Sequence, residues 1–174
     1  ALDKAAYRGP DHQHISVSNG ITWGFNRLSI MDLSTNGNQP FVYKDCTLVC
    51  NGEIYNYPEL KNKLSKEYTF KSGSDCEVLI PLYDQYGIEI LCKYLDAEFA
   101  MVLYDAKTKQ LMAARDPMGI RPMFYGYSKK ERQICFASEA KALFDLCDDI
   151  MPFPPGHYYL DGQFICYNDL SDPK

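Results

Sequence analysis

The sequence predicts an α+β fold with layers of mainly antiparallel strands. The helices lie in the middle of the sequence, with strands before and after them. One hairpin signal lies near each end of the chain: Asn19-Gly20 and Asp161-Gly162 both separate short apolar segments. The type I′ turn that such pairs favour needs positive φ at both central residues, and it joins antiparallel strands. Apolar residues recur at helical spacing in the middle of the chain, between Pro58 and Tyr94. Strands on both sides of a helical middle indicate sheets with helices packed on them.

The first elements are the end of a helix and a hairpin. The segment from Ala1 to Arg8 is typical of the last turns of a helix. Ile15–Ser18 and Ile21–Phe25 form the two arms of the first hairpin. A strand then approaches Asn51-Gly52, where we expect it to stop at a turn, because the residues that follow begin a helix.

Two or three helices follow. Pro58 suits a first helical turn, and Leu60 and Leu64 are one turn apart. A second helix is predicted to begin at a capping box formed by Ser74 and Glu77. Its apolar residues recur at helical spacing, at Leu79, Leu82, Tyr83 and Tyr86. A further short helix is expected over Ile88–Tyr94.

Strands are predicted again after the helices. Glu98–Tyr104 and Gln110–Ala114 flank a polar turn, and Ile134–Ala137 is another short strand. The second hairpin pairs His157–Leu160 with Gln163–Cys166.

Length and composition indicate one domain, spanning residues 1–174, in the class of globular proteins. Apolar residues make up 46% and charged residues 24%. The net charge of −5 argues against a nucleic-acid partner, and no apolar run is long enough for a membrane helix. The seven cysteines form no CxxC pair, so we expect reduced, mostly buried thiols in a cytoplasmic protein. His12 and His14 without further ligands predict a solvent-facing pair and no metal site.

Three segments carry groups that a core does not require. Asn51-Gly52 can offer an amide side chain and a backbone N–H to one point, as an oxyanion hole needs, although an ordinary turn explains it as well. Asp75 follows a predicted N-cap, where a carboxylate stays ionised and could bind an ammonium or could merely cap the helix. Arg27 lies in an apolar strand and predicts either a structural ion pair or a bound carboxylate.

These three groups together describe a site for a free amino acid whose side-chain carbonyl is attacked. A carboxylate binder, an ammonium binder and an oxyanion hole are each ambiguous alone, and their combination is more specific.

Seven blocks occur in order along nearly the whole chain and carry a family resemblance. They are Arg8-Gly9-Pro10-Asp11, Arg27-Leu28-Ser29-Ile30, Asn51-Gly52-Glu53-Ile54-Tyr55-Asn56, Gly73-Ser74-Asp75, Arg115-Asp116 through Gly119-Ile120-Arg121-Pro122, Phe136-Ala137-Ser138-Glu139-Ala140-Lys141 and Phe153-Pro154-Pro155-Gly156. The series resembles the class II glutamine amidotransferase domain, an N-terminal-nucleophile hydrolase, in its asparagine synthetase branch.

The resemblance implies a role for each matching residue. Arg27 would bind the glutamine α-carboxylate, with the backbone of Ile30 and Met31 on the same wall. Asn51 and Gly52 would form the oxyanion hole. The remaining roles belong to Glu53 and Asp75, which would hold the α-amino group, and to Arg8, which would support the surroundings of the nucleophile. The blocks Arg115–Pro122 and Ser138–Lys141 are expected to be structural.

The resemblance also implies a four-layer αββα sandwich and a cysteine nucleophile at the mature N-terminus. Residue 1 is Ala1, and Arg8 follows too soon for the family's first strand. We therefore expect a domain truncated at its N-terminus that is inactive by itself. Cys50 is a weak alternative nucleophile, because no histidine is near it in the sequence.

The expected reaction converts glutamine and water into glutamate and ammonia. The resemblance implies no cofactor in this domain, and ATP and Mg²⁺ in a synthetase domain of the same polypeptide that accepts the ammonia. It leaves homo-oligomerisation open. Two alternatives remain: a non-catalytic glutamine-binding module, and an amidotransferase domain that feeds a different acceptor.

Overall fold

The computed structural model describes residues 1–170, and antiparallel sheets dominate it. The strands are β1 (His12–Ser18), β2 (Ile21–Arg27), β3 (Phe41–Tyr43), β4 (Cys46–Ile54), β5 (Ala97–Asp105), β6 (Gln110–Arg115), β7 (Phe124–Ser128), β8 (Ile134–Ala137), β9 (Cys147–Pro152), β10 (His157–Leu160) and β11 (Gln163–Cys166). The α-helices are α1 (Tyr57–Leu64) and α2 (Leu79–Tyr94). Short 3-10 helices span Leu2–Arg8, Thr35–Gly37, Asp75–Val78 and Ala140–Ala142.

The strands form three sheets. The largest has the order β11-β10-β6-β5-β4-β3, the second is β8-β7-β9, and β1 pairs with β2 alone. Every pair of named strands is antiparallel. The predicted α+β class with mainly antiparallel sheets is confirmed.

The two faces of the large sheet meet different layers. Successive side chains of a strand point to opposite faces, so β5 divides its residues between two cores. Phe99, Met101 and Leu103 are buried on the face that packs against α1 and α2. Ala100 lies on the other face, in a smaller core with Phe153 that joins the large sheet to β7–β9. The layers therefore run helix, sheet, sheet.

Local signals predicted the hairpins and helix α1 well. Asn19 and Gly20 have φ of 52° and 75°, and Asp161 and Gly162 have φ of 49° and 83°, the positive values that the turns require. Both hairpins are confirmed. Helix α1 buries Leu60 and Leu64 as predicted.

The beginning of the second helix differs from the prediction. A 3-10 turn, Asp75–Val78, precedes α2, and Ser74 forms no side-chain capping bond. The Glu77 carboxylate instead accepts hydrogen bonds from Tyr68, Lys71 and Ser72, so the predicted capping box is wrong. The expected further short helix after residue 87 is present, because Gly87, with φ of 75°, breaks the helical path inside α2.

The prediction that a strand stops at Asn51-Gly52 is also wrong. Strand β4 continues through both residues to Ile54, and Asn51 and Gly52 lie opposite Ala100 and Phe99 of β5. Strand pairing with β5 outweighs the turn preference of the dipeptide here. Across residues 1–170, no helix combines the length and apolar character needed to cross a bilayer.

Candidate active site

A cleft of about 1930 Å³ lies along β4, the β1–β2 hairpin and β8. Its lining contains every residue that the sequence marked for the site: Arg8, Arg27, Ile30, Met31, Asn51, Gly52, Glu53 and Asp75. The fold therefore brings together side chains that are far apart in the chain, and their individual surroundings differ.

The free edge of β4 is the wall on which the site is built. Strand β3 pairs with β4 only as far as Leu48. Beyond it, the side-chain amide of Gln39 replaces a strand, accepting from Cys50 N at 2.7 Å and donating to Cys50 O at 3.0 Å. Two residues on from Gly52, Ile54 N donates to Asp75 Oδ2 at 2.7 Å. Alternate residues of a strand direct their backbone groups to the same side, so the Gly52 N–H points to this edge, between the two side chains.

Asn51 supplies the most informative atom of the cleft. Its side-chain Nδ2 is buried, and no hydrogen-bond partner for it lies in the described part of the chain. A buried donor without a partner costs free energy, and such atoms are rare in folded proteins. Asn51 thus holds an N–H group ready for an acceptor that enters the cleft.

Gly52 is required by a close approach of two strands. A Cβ atom at this position would lie 2.6 Å from Glu98 O and 2.8 Å from Phe99 Cβ. Only glycine allows β4 and β5 to pair closely here, and that pairing sets the direction of the Gly52 N–H.

Asp75 is a buried carboxylate with few partners. It is 5% exposed, accepts one hydrogen bond, from Ile54 N, and has no ion-pair partner among residues 1–170. Asp116 is similarly buried but accepts from Phe99 N, Ile120 N and Arg121 N. Asp75 therefore retains acceptor capacity on the cleft side, which suits a cationic group.

Arg27 is the positive counterpart of Asp75. It is 7% exposed, and in the described residues no carboxylate lies within 4.0 Å of its guanidinium, so the structural ion pair that the sequence left open is not formed. Its Nη1 donates to Ser34 O and Asn38 Oδ1, each at 2.7 Å, and its Nη2 donates to Asp32 O. A guanidinium has five N–H donors, so these three bonds leave two. A buried cation without a carboxylate partner suits an anionic ligand.

Glu53, Ile30 and Met31 are more open. Glu53 is exposed and lies directly opposite Glu98, whose carboxylate pairs with Arg121 at 2.5 Å. Ile30 is 73% and Met31 46% exposed. These three side chains border the cleft but are exposed, whereas Arg27, Asp75 and the Asn51 amide nitrogen are buried.

Arg8 is engaged by a neighbouring acid. Its Nη1 pairs with Glu139 Oε1 at 3.0 Å, and Tyr7 Oη donates to the same oxygen at 2.8 Å. The hydroxyl of Tyr7, and then the guanidinium, lower the pKa of Glu139. Arg8 thereby ties the N-terminal 3-10 helix to the segment 138–141, in line with the expected structural role of that segment.

The block around Arg115 is likewise structural. Its guanidinium donates to the carbonyl oxygens of Arg121, Phe153 and Gly119 at 2.7–2.8 Å, which closes the loop after β6.

Sequence reasoning missed Gln39 and Asp32. Gln39 fills the edge of β4, and Asp32 accepts from Gly73 N at 2.7 Å, a contact between residues 41 positions apart. No local pattern signals either contact, because both depend on loops that meet only in the fold.

Two of the thiols that line the cleft, Cys50 and Cys76, are buried, and Cys135 is half-buried. Cys50 and Cys76 are 5% and 4% exposed, and Cys76 Sγ donates to Gly52 O at 3.7 Å. The contact with Cys50 and burial raise the pKa of Cys76 well above its usual range. Protonated thiols are poor nucleophiles. The described residues contain no group of three side chains arranged to hold a metal ion.

Known proteins share sequence and fold with this chain. Residues 1–157 match the family model described as a glutamine amidotransferase domain. A probable asparagine synthetase [glutamine-hydrolyzing] of Acanthamoeba polyphaga mimivirus is 44% identical over 162 residues, which are 90% of this chain and 29% of that protein. Asparagine synthetase [glutamine-hydrolyzing] 2 of Arabidopsis thaliana is 43% identical over 159 residues, 90% of this chain and 27% of that protein. The chain spans less than a third of the length of these relatives.

Two solved structures share the fold. Glutamine phosphoribosylpyrophosphate amidotransferase from B. subtilis aligns with a TM-score of 0.69 and 21% identity, over 83% of this chain and 34% of that one. A glutamine aminotransferase class-II domain protein from Silicibacter pomeroyi aligns with a TM-score of 0.53 and 20% identity, over 72% of this chain and 67% of that one.

Proposed function

The chain belongs to the glutamine amidotransferase domain family, and from this premise we propose that its cleft binds free glutamine and promotes hydrolysis of the side-chain amide. One observation carries the proposal: three groups without a complementary partner among residues 1–170 share one cleft, namely a buried cation, a buried carboxylate and an amide donor. Free glutamine offers the complement of each, namely an α-carboxylate, an α-ammonium and an amide carbonyl.

In this proposal Arg27 and Asp75 bind the two charged groups of the amino acid. Each group keeps its charge throughout the reaction, so these contacts stabilise ground state and transition state alike. Glu53 adds negative charge beside the ammonium, while the backbone at Ile30 and Met31 borders the bound amino acid.

Asn51 Nδ2 and the Gly52 N–H act on the amide carbonyl. Attack on the carbonyl carbon places negative charge on the oxygen, and two donors fixed in advance stabilise that charge without reorganisation. The Gln39 and Asp75 contacts on either side of Gly52 hold the strand edge in place while charge develops.

The attacking group remains to be supplied. Cys50 and Cys76 are buried, and the raised pKa of Cys76 disfavours its thiolate. We propose that a group from outside these 174 residues attacks the amide carbon and that Arg8 supports its surroundings. Collapse of the tetrahedral intermediate breaks the C–N bond and releases the protonated amide nitrogen as ammonia, which leaves an acyl intermediate. Water then cleaves the acyl bond, which releases glutamate and regenerates the attacking group.

The relatives named above suggest the fate of the ammonia. We propose that a synthetase domain in the same polypeptide, using ATP and Mg²⁺, transfers it to aspartate, in a cytoplasmic enzyme. The test uses the full-length protein with aspartate and ATP, and with either glutamine or ammonium as nitrogen donor. Asparagine from both donors is expected. Ammonia release from glutamine without asparagine formation would point to another acceptor and would overturn this part alone.

A binding module is the second candidate, favoured by the burial of Cys50 and Cys76, the thiols beside the proposed oxyanion hole. It predicts that the full-length protein binds glutamine, measured by calorimetry, and releases no glutamate. Glutamate release that is lost in the Asn51→Ala variant supports the enzyme, and binding without release supports the module.

A further inference from the structure

Asp32 joins the two loops that carry the opposite charges of the cleft. One of its oxygens accepts from Ser34 N and the other from Gly73 N, each at 2.7 Å. Gly73 lies two residues before Asp75 in the sequence. The backbone of Asp32 meanwhile accepts from Arg27. A single residue therefore contacts the guanidinium on one side and the loop of the buried carboxylate on the other.

The loop after β2 depends on this arrangement. The carbonyl oxygens of Asp32 and Ser34, with Asn38 Oδ1, surround the Arg27 guanidinium. Because the Asp32 carboxylate also binds Ser34 N, it fixes the relative position of two of these three acceptors. None of these three acceptors belongs to the Asp32 side chain, so a change of that side chain leaves the acceptors of the guanidinium in place and removes the tie to Gly73.

The separation between the two charged groups decides which ligands fit. The α-carboxylate and α-ammonium of an amino acid are attached to one carbon, so Arg27 and Asp75 must be held at a matching distance to bind both. Interactions of charged donors with carboxylates are short and geometrically demanding. The Asp32–Gly73 hydrogen bond is a direct link between the loops that set this distance.

We propose that Asp32 is a positioning residue that sets the spacing between Arg27 and Asp75 and so selects ligands with adjacent carboxylate and ammonium groups. This inference rests on the proposed glutamine site. Asp32 lines the cleft, but its two carboxylate oxygens accept from Ser34 N and Gly73 N, so it would act through the two loops. Its loss would weaken the joint recognition of the two groups more than the recognition of either one.

The experiment compares three ligands in the full-length protein. Glutamine carries both groups, 4-aminobutanamide lacks the α-carboxylate, and glutaramate lacks the α-ammonium. In Asp32→Asn, we expect the KM for glutamine to rise about tenfold, the scale of one hydrogen bond to a charged group, with kcat nearly unchanged. The inhibition constants of the two partial ligands should change by less than about twofold, since neither needs the spacing.

A matched control is Asp11, which precedes β1 and contacts the same loop. Asp11 Oδ2 accepts from Ser29 N at 2.7 Å, which is also a carboxylate-to-backbone contact, but it makes no link to Gly73. Asp11→Asn should leave the KM for glutamine within about twofold of wild type. An equal weakening of all three ligands by Asp32→Asn, or an unchanged KM for glutamine, would overturn the inference.

Two further measurements keep the inference separate from folding and from the site itself. In the wild-type protein, saturating glutamine should slow hydrogen exchange of the Gly73 and Ser34 amides together, and independent responses would contradict the link. Arg27→Lys and Asp75→Asn should both raise the KM for glutamine. If they do and Asp32→Asn does not, the inference alone fails; if neither does, the proposed glutamine site fails as well.

Discussion

Ile54 donates its backbone N–H to the Asp75 carboxylate at 2.7 Å, and this bond joins the end of β4 to the 3-10 turn before α2. The same strand carries Asn51, whose Nδ2 has no partner in residues 1–170. The two residues thus share a support, although they are proposed to contact different parts of the ligand. That difference makes them separable by kinetics.

We predict that Asn51→Ala and Asp75→Ala of the full-length protein fail in different ways. Asn51 would donate to an oxygen that becomes negative only as the carbonyl is attacked, so its loss should lower kcat about 10²–10³-fold with little change in KM. Asp75 would bind an ammonium that is unchanged by the reaction, so its loss should mainly raise KM.

Steady-state curves with glutamine and with ammonium check this pair. Both variants should keep the ammonium-dependent reaction, which bypasses the glutamine site. A wild-type rate for Asn51→Ala with glutamine would make Asn51 an ordinary strand residue, contrary to the proposal.

Gly37→Ala should disturb the carboxylate-binding group. A Cβ at residue 37 would lie 2.3 Å from Arg27 Nη2, so the buried guanidinium must move. We expect the KM for glutamine to rise roughly tenfold or more. Gly24→Ala is the control, because its Cβ would meet only the end of the Leu2 side chain, at 3.2 Å. Equal kinetics for the two variants would show that the direction of Arg27 is unimportant.

Glu77→Gln should lower the free energy of unfolding by about 1–3 kcal/mol, because the amide replaces a carboxylate that accepts four hydrogen bonds in a buried position. Glu89→Gln removes an exposed pair with Lys93, at 2.6 Å, and should cost less than about 0.5 kcal/mol. Urea unfolding of both variants compares the two costs. Similar losses would mean that the Glu77 network adds no more than a surface ion pair.

The thiols should separate by exposure when the folded 174-residue polypeptide is alkylated at neutral pH. Cys166 is exposed and should react first. Burial raises the pKa of Cys46 to about 12 and that of Cys147 to about 11, so both should stay unmodified until the protein unfolds. Mass spectrometry of the peptides gives the order of modification.

The same polypeptide should release no glutamate from glutamine. Cysteine-dependent release of glutamate would indicate that an internal thiol attacks the amide, and Cys50 would be the first to test by substitution.

The contribution of Asp32 to the free energy of unfolding should depend on pH. The hydrogen bond from Gly73, followed by those from Ser34, lowers the pKa of Asp32. A carboxyl whose pKa is lowered by folding stabilises the protein fully above its unfolded pKa, about 3.9, and loses that effect as the pH falls through the folded value. The difference in unfolding free energy between wild type and Asp32→Asn should stay constant from about pH 7 to 5 and shrink in stronger acid. A constant difference down to about pH 2 would contradict the assignment.

Features governed by neighbouring residues could be predicted from the sequence. The two hairpins follow from the positive φ that Asn19-Gly20 and Asp161-Gly162 adopt easily, and α1 follows from Pro58 and the spacing of Leu60 and Leu64. The oxyanion-hole interpretation pointed to Asn51-Gly52, which line the cleft, although its structural reason, a strand that ends there, was wrong.

Features that depend on distant contacts could not be predicted. Strand β7 (Phe124–Ser128) lies at the centre of its sheet, although its sequence has only a weak strand pattern. Its pairing with β8 and β9 on either side stabilises it as a strand. The Glu77 carboxylate does not cap the helix, because Tyr68 and Ser72, in the loop that folds back over it, donate hydrogen bonds to it. A capping box and a buried hub need the same residue type at that position, and only the tertiary structure distinguishes them.

The side-chain amide of Gln39 has a consequence for assembly. An amide group has the same donor and acceptor as a peptide unit, so Gln39 imitates one residue of a neighbouring strand at Cys50. Strand edges with free N–H and C=O groups recruit other chains and lead to aggregation. With Gln39 at one position and Asp75 at another, this edge of β4 cannot accept a continuous incoming strand. The side chains that frame the cleft thus also protect the sheet against intermolecular pairing.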